Sequence, residues 1–226
     1  MRLPGLVLKS PWRPCRVRPG ETVLTVRARS SFPPGHPTTR LCLELLAATP
    51  LSGVRLVDVG CGSGILALGG AALGAALCVG VDLSGPAVLL TRENARENHF
   101  TAAVQVVRGS TECLQGPFQV VVANLPAGLQ LEKVQEFIRL AAPGATLILS
   151  GFRDTQEEDL AQLYRQRGWA VSRRRTRDEW AIELPPEKSF TWVAWRLERK
   201  LLVGGGPGTR GWDAPILDKQ GKMIIG

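Results

Sequence analysis

The sequence predicts an α/β fold: a mostly parallel sheet with helices on both faces, and an antiparallel strand pair near its C-terminal end. Three observations predict it. Short apolar runs alternate with helical segments between residues 54 and 167, as a parallel sheet requires, because each strand returns through a covering helix. A glycine-rich turn, Gly60-Cys61-Gly62-Ser63-Gly64, joins the first of these strands to the helix after it. Past residue 169 two β-prone runs are separated only by a short Pro-containing link, which is antiparallel geometry.

Taken in order, residues 1–35 are rich in Pro and Arg and read as an N-terminal extension, in which residues 22–27 (TVLTVR) alternate like a short strand. Residues 30–35 read as a turn. Residues 37–48 (PTTRLCLELLAA) read as a helix, with Pro and Thr at its start and Leu41, Leu45 and Leu46 on one face. Residues 54–59 form an apolar strand, 65–73 a helix ended by Gly74, 77–81 a strand closed by Asp82, and 85–98 a helix with a polar second half. Further strands are expected at 104–107, 118–123 and 145–150. Residues 129–142 are expected to be helical and to stop at Pro143-Gly144. Residues 154–167 form a helix with an acidic first turn and a basic last turn, matching the helix dipole. Residues 170–184 and 191–197 make the antiparallel pair, linked by residues 185–189. The glycine-rich stretch 204–208 reads as a linker, and 212–226 carry no strong pattern. The expected organisation is therefore an extension (1–35), one α/β domain (36–200) and a flexible Gly-rich tail (201–226). No internal repeat is found.

Composition narrows the class. The 226 residues suit one α/β domain, and 44% hydrophobic residues argue against disorder. No apolar run is long enough to cross a bilayer, and the first residues make a poor signal peptide, so a cytoplasmic chain with no membrane partner is expected. Five widely spaced cysteines and two histidines argue against a disulfide framework and against a metal site. The net charge is +8, with 22 arginines against 6 lysines. That balance fits contact with RNA or a ribosomal surface, and equally fits an arginine-rich solvated surface.

The glycine turn carries the chemistry. A dinucleotide loop needs glycine at the sixth place of G-x-G-x-x-G, which is Ile65 here. The spacing is instead G-x-G-x-G, with Asp58 two residues ahead. A pyrophosphate prefers an uncharged approach to free amides, whereas a ligand bearing an amino group and a sulfonium can use a carboxylate at the strand end. Asp82 closes the next strand, placed to accept from both hydroxyls of a ribose. Asp58, Gly60, Cys61, Gly62, Gly64 and Asp82 thus predict a site for S-adenosyl-L-methionine.

Four stretches extend this reading: residues 36–46 (HPTTRLCLELL), 57–66 (VDVGCGSGIL), 121–128 (VVANLPAG) and 143–151 (PGATLILSG), to which 91–98 (TRENAREN) can be added. Across roughly residues 12–184 the chain resembles the catalytic domain of the methyltransferases of ribosomal large-subunit protein eleven (the PrmA type). The resemblance implies a Rossmann-like class I methyltransferase fold with a seven-stranded sheet. It implies methylation of amino groups on a ribosomal protein, and closure of the segment around His36, Thr38 and Thr39 over the cofactor. Three features depart from that pattern. Only about 30 residues precede the segment around His36, where the family carries a separate recognition module. Phe32-Pro33-Pro34-Gly35 replaces a glycine- and threonine-rich run. Ser110, with Glu112 close by, stands where an acidic residue often lies near the adenine.

Asn124-Leu125-Pro126-Ala127 ends the fourth strand of the alternating region, on the side where ligands lie in open α/β sheets. The Asn124 carboxamide could orient an acceptor amine, or merely cap the strand end. Ala127 offers no aromatic face to a flat base, which weakens a nucleobase reading. His36 is a candidate base or a packing residue, and His99 a surface residue. Strand alternation puts Arg173, Arg175 and Arg177 on one face, as a docking row or a solvated one. Trp180, Trp192 and Trp195 are expected to pack the strand pair. The alternatives to protein N-methylation are a small-molecule or RNA methyltransferase, and a non-catalytic relative that binds the cofactor.

Overall fold

The computed structural model describes residues 1–9, 11, 14–28, 35–179 and 189–199, and the backbone of two short strands near the end of the chain. The chain opens with β1 (Arg2–Leu3), β2 (Leu6–Lys9) and β3 (Thr22–Thr25), then α1 (Pro37–Ala47), β4 (Arg55–Val59) and α2 (Ile65–Ala72). It continues with β5 (Leu77–Asp82), α3 (Gly85–Glu97), β6 (Val104–Arg108), β7 (Phe118–Asn124), α4 (Ala127–Leu140), β8 (Ala141–Arg153), α5 (Glu157–Arg165), β9 (Trp169–Asp178) and β10 (Thr191–Arg199). The last described elements, β11 (Ile216–Leu217) and β12 (Met223–Ile224), pair antiparallel.

The main sheet has seven strands in the order β6-β5-β4-β7-β8-β10-β9. β4 to β8 run parallel, and β10 is antiparallel to both its neighbours. The α/β class and the antiparallel pair match the sequence reading. Alternate residues of each strand feed two cores. One, under α1 and α2, holds Leu41, Leu45, Leu56, Leu68 and Ala194. The other, under α4 and α5, holds Val121, Phe137, Leu149, Tyr164 and Trp195. Because β4 to β8 are parallel, their carboxyl ends share one edge. The connection reverses between β4 and β7, and such a switch point opens a crevice at that edge.

The structure differs from the sequence reading in several places. β1 and β2 were not expected; with β3 they form a three-stranded sheet whose Leu6 and Leu24 are buried in the α1–α2 core. α4 begins and ends two residues earlier than expected. Pro143 biases the backbone before it away from helix, so the helix ends at Leu140 and the chain passes directly into β8. Pro143-Gly144 thus lies within β8 and not at the helix end. It is an exposed bulge inside β8, where the pairing jumps from Phe118↔Ala141 to Val120↔Thr146. Residues 154–156 form a 3-10 turn before α5. Expectations for residues 30–34, for 180–188 with Trp180, and for most of the tail lie outside the described residues.

Candidate cofactor and acceptor site

The turn after β4 is shaped by its glycines. Gly60, Gly62 and Gly64 have φ of 70°, 56° and 76°, the left-handed region that costs an L side chain about 1–2 kcal/mol. Gly64 is also a close approach: a Cβ there would lie 2.6 Å from Thr91 Cγ2. Four of the turn's five amides bond within the protein. Gly60 N and Cys61 N both donate to Val81 O (2.8 and 3.2 Å), Gly62 N donates to Asp82 Oδ2 (2.9 Å), and Gly64 N donates to Cys61 O (2.7 Å). A loop in which four of five amides already have protein partners makes a poor phosphate cradle, which needs them free.

Two carboxylates flank the turn. Asp58 is 1% exposed and accepts from Ala67 N at 3.1 Å, in the first turn of α2. Burial pushes its carboxyl up to about 7, against the pull of that hydrogen bond. Asp82 is half-buried at the end of β5 and accepts from Gly62 N and from Ser84 N (2.8 Å). Cys61 is buried against Gly80 and Val88; its Sγ lies 3.5 Å from Thr91 Oγ1, and burial raises its thiol above the usual range. Ser110 leads from β6 into a short turn beside Glu112, whose carboxylate accepts from Thr111 Oγ1 at 3.3 Å. The Lys133 ammonium, 2.5 Å from Glu112 Oε1, is the main reason that this carboxyl lies low, at about 2.

Sequence reasoning marked residues 91–98 only as part of the resemblance and gave them no role behind the turn. Thr91 Oγ1 donates to Gly62 O (3.1 Å), and Asn94 Nδ2 donates to Ser63 O (2.8 Å) and Arg27 O (2.9 Å). Arg27 N donates back to Asn94 Oδ1, and Asn98 exchanges the same pair of bonds with Thr25. Thr91, Asn94 and Asn98 follow i, i+3, i+7 spacing, so polar side chains on the inward stripe of this helix were the available signal.

On the other side of the switch point, Asn124 ends β7. Its Oδ1 is buried and has no hydrogen-bond partner among the described residues. The loop after it is pinned to β8: Leu125 N donates to Ser150 O (2.9 Å), and Gln130 Nε2 donates to both Leu125 O and Ser150 O (2.7 Å each). Gln130 is fully buried and was also missed; a lone amide in an otherwise apolar helix stripe could have flagged it.

His36 caps α1. Its Nδ1 accepts from Thr38 N (3.2 Å) and lies 2.8 Å from Thr38 Oγ1, while Nε2 is 3.9 Å from Glu179 Oε2. The Nδ1 lone pair is thus engaged, which leaves the ring proton on Nε2, and burial lowers the pKa of the ring. Thr38 and Thr39 are buried in the first turn of α1. Trp192 meets the His36 ring edge-on at 5.0 Å and donates Nε1–H to Glu179 Oε2 at 2.6 Å. The Arg153 guanidinium stacks 3.5 Å from the centre of the Trp192 ring. His36, Asn124, Arg153, Glu179 and Trp192 belong to five separate parts of the chain, and those on β7 to β10 lie at the edge that carries Gly60 and Asp82. Among the described residues no cluster could hold a metal ion, and no helix is long and apolar enough to cross a membrane.

The profile of the family described as Ribosomal protein L11 methyltransferase (PrmA) matches residues 6–184. The ribosomal protein L11 methyltransferase of Syntrophotalea carbinolica is 38% identical over 180 residues, which cover 78% of this chain and 59% of that protein. The chain spans about half the length of the curated relatives it matches. Among solved structures, ribosomal protein L11 methylase from Lactobacillus delbrueckii subsp. bulgaricus superposes with a TM-score of 0.73 at 20% identity, covering 87% of this chain and 94% of that one. Magnesium protoporphyrin IX methyltransferase from Synechocystis, solved with bound SAH, reaches 0.58 at 19% identity, covering 72% and 81%. At these identities the solved structures speak to the fold.

Proposed function

The chain belongs to the family of ribosomal protein L11 methyltransferases (PrmA), and from that premise we propose that it transfers a methyl group from S-adenosyl-L-methionine to an amino nitrogen of a protein acceptor. The orphaned Asn124 Oδ1 carries this reading: a buried carboxamide oxygen without a donor costs about 1–3 kcal/mol unless an incoming N–H meets it. The donor set suits the cofactor. Two carboxylates, Asp58 and Asp82, and a turn in which four of five amides already bond within the protein favour a ligand that is cationic where it meets the protein.

In this reading Asp82 accepts from the ribose hydroxyls, Gly60, Cys61, Gly62 and Gly64 supply the close backbone wall, and Ser110 borders the adenine end. S-adenosylmethionine supplies a methyl group already activated on sulfur. The protein then has to align the acceptor and exclude water, and needs no strong acid or base. Asn124 takes a hydrogen bond from the amine and turns its lone pair toward the methyl group. His36, with Nδ1 engaged, is a positioning residue that holds Thr38 and Thr39 beside the cofactor. Residues 36–200 carry the chemistry, with 1–35 as a supporting extension and 201–226 as a tail outside it. We place the reaction in the cytoplasm, where ribosomal proteins meet the cofactor.

The test incubates the purified chain with methyl-labelled cofactor and, separately, ribosomal proteins, RNA and a small-metabolite pool. Label is expected in protein. Asn124→Ala is expected to lower kcat by about 100-fold, the scale of a lost buried charge-assisted hydrogen bond, with cofactor affinity kept. Label confined to RNA or metabolites would overturn the protein acceptor.

A further inference from the structure

The two faces of the seven-stranded sheet manage charge differently. On the α4–α5 face cations are matched: Arg174 with Glu157 and Arg165 with Glu158 at 2.5 Å, and Arg139 with Glu136 at 2.7 Å. The outer strands carry a different pattern on the α1 face. There Arg173 pairs across the ladder with Arg196, Arg175 with Ala194 and Arg177 with Trp192. Three marks put this row beside α1. Ala194 is buried in the α1–α2 core, Arg196 Nη1 donates to Ala48 O at the end of α1 (3.3 Å), and Arg177 lies 3.5 Å from Glu44 of α1.

The acids there are already engaged. Glu44 serves Arg40 (2.9 Å) as well as Arg177, and Glu198 is held by Arg196 (2.5 Å). Arg173 and Arg175 are exposed, and their side chains make no hydrogen bond or ion pair with any described residue. They lie on β9, the edge of the sheet. Alternate residues of a strand repeat every ~6.8 Å, so the row presents evenly spaced guanidinium forks, which bind phosphate oxygens bidentately.

We propose that the α1-side face of β9 is a docking surface for the phosphate backbone of RNA. The row has one sign and lacks an aromatic anchor between its arginines. Protein interfaces are organised around buried anchors, whereas phosphate contacts carry the affinity of nucleic-acid binding. It also has a direction. Arg177 stands next to the carboxyl end of β9, where Glu179 and His36 meet, so RNA lying along the row ends at the acceptor side of the edge. The proposal concerns binding alone and stands apart from the methyl-transfer reading.

The experiment measures anisotropy of a fluorescein-labelled RNA duplex with the full chain, without cofactor, across a KCl series. Arg173→Gln/Arg175→Gln is expected to weaken binding about tenfold and to lower the slope of log K against log salt by about 2, one for each lost phosphate contact. Arg165→Gln, on the opposite face, is expected to change neither. Methyl transfer to a free protein acceptor is expected to survive the double substitution, which separates docking from chemistry. Unchanged affinity and slope in the double variant would overturn the proposal. So would a poly-aspartate peptide that competes for the chain as well as unlabelled RNA does.

Discussion

The carboxyl edge of the sheet is built in two ways. On the β4–β5 side the backbone does the shaping: three left-handed glycines fold a turn whose amides bond Val81, Asp82 and Cys61, and α3 braces it from behind. On the β7–β10 side the side chains do it: Gln130 pins the loop after Asn124, and Glu179, Trp192 and Arg153 surround His36. The first half tolerates few substitutions because its dihedrals demand glycine. The second depends on contacts that can be removed one at a time, so it should lose activity in graded steps.

That contrast can be broken or sharpened. The largest effect is expected from Gly64→Ala, which combines left-handed strain with a clash against the buried, branched Thr91. Strain of about 1–2 kcal/mol and overpacking of about 1–3 kcal/mol should lower the melting temperature by several degrees and cofactor affinity by about 100-fold; calorimetry with S-adenosylmethionine and thermal melts read both. Nearly as large is the pH effect of Asp58, whose folded-state pKa is raised from 3.8 to about 7. The folded chain keeps that proton when the unfolded chain has lost it. The stability it contributes is therefore full below about pH 4 and is lost as pH rises to about 7, at most roughly 4 kcal/mol. Urea unfolding between pH 4 and 8 should show the fall, and Asp58→Asn should flatten it.

Third comes Asp82→Ala, which removes the acceptor for Gly62 N and Ser84 N and should weaken the cofactor about 30-fold, at about 2 kcal/mol. A twofold change or less would take Asp82 out of the site. On the side-chain half, Gln130→Ala should reduce kcat about tenfold, by roughly 1–3 kcal/mol of lost clamping, while cofactor Kd stays within about twofold; equal losses in both would erase the distinction between the halves. The smallest effect is expected at His36. Replacement by Ala removes a helix cap worth about 1 kcal/mol, and Asn should restore it. A pH–rate profile that kept its histidine limb only with His36 present would instead make it a base.

The same contrast explains what the sequence reveals. The glycine turn, Asp58 and Asp82 lie within one strand–turn–helix–strand passage, so spacing alone displays them. The order of β4 to β9 is equally legible, because each buried strand and its return helix carry their own period. Glu179, Trp192 and Arg153 become neighbours only when β10 inserts between β8 and β9, and Gln130 meets Ser150 only when β8 pairs with β7; nothing local announces either. β1 and β2 escape for a related reason: strands of two and four residues exist only through their mutual pairing and their burial of Leu6. The charge sum of +8 likewise says nothing about which face collects it.

The carboxamide ladder between α3 and the strand exit at Thr25 and Arg27 bears on how the protein can be cut. Asn94 is fully buried and divides its bonds between Arg27 and Ser63 of the glycine turn. Excising the chain ahead of residue 36 would leave its carbonyl oxygen without a donor directly behind that turn. The shortest version worth expressing therefore keeps β3, and hydrogen exchange at Thr25 and Arg27 should slow or quicken in step with the amides of residues 62–64.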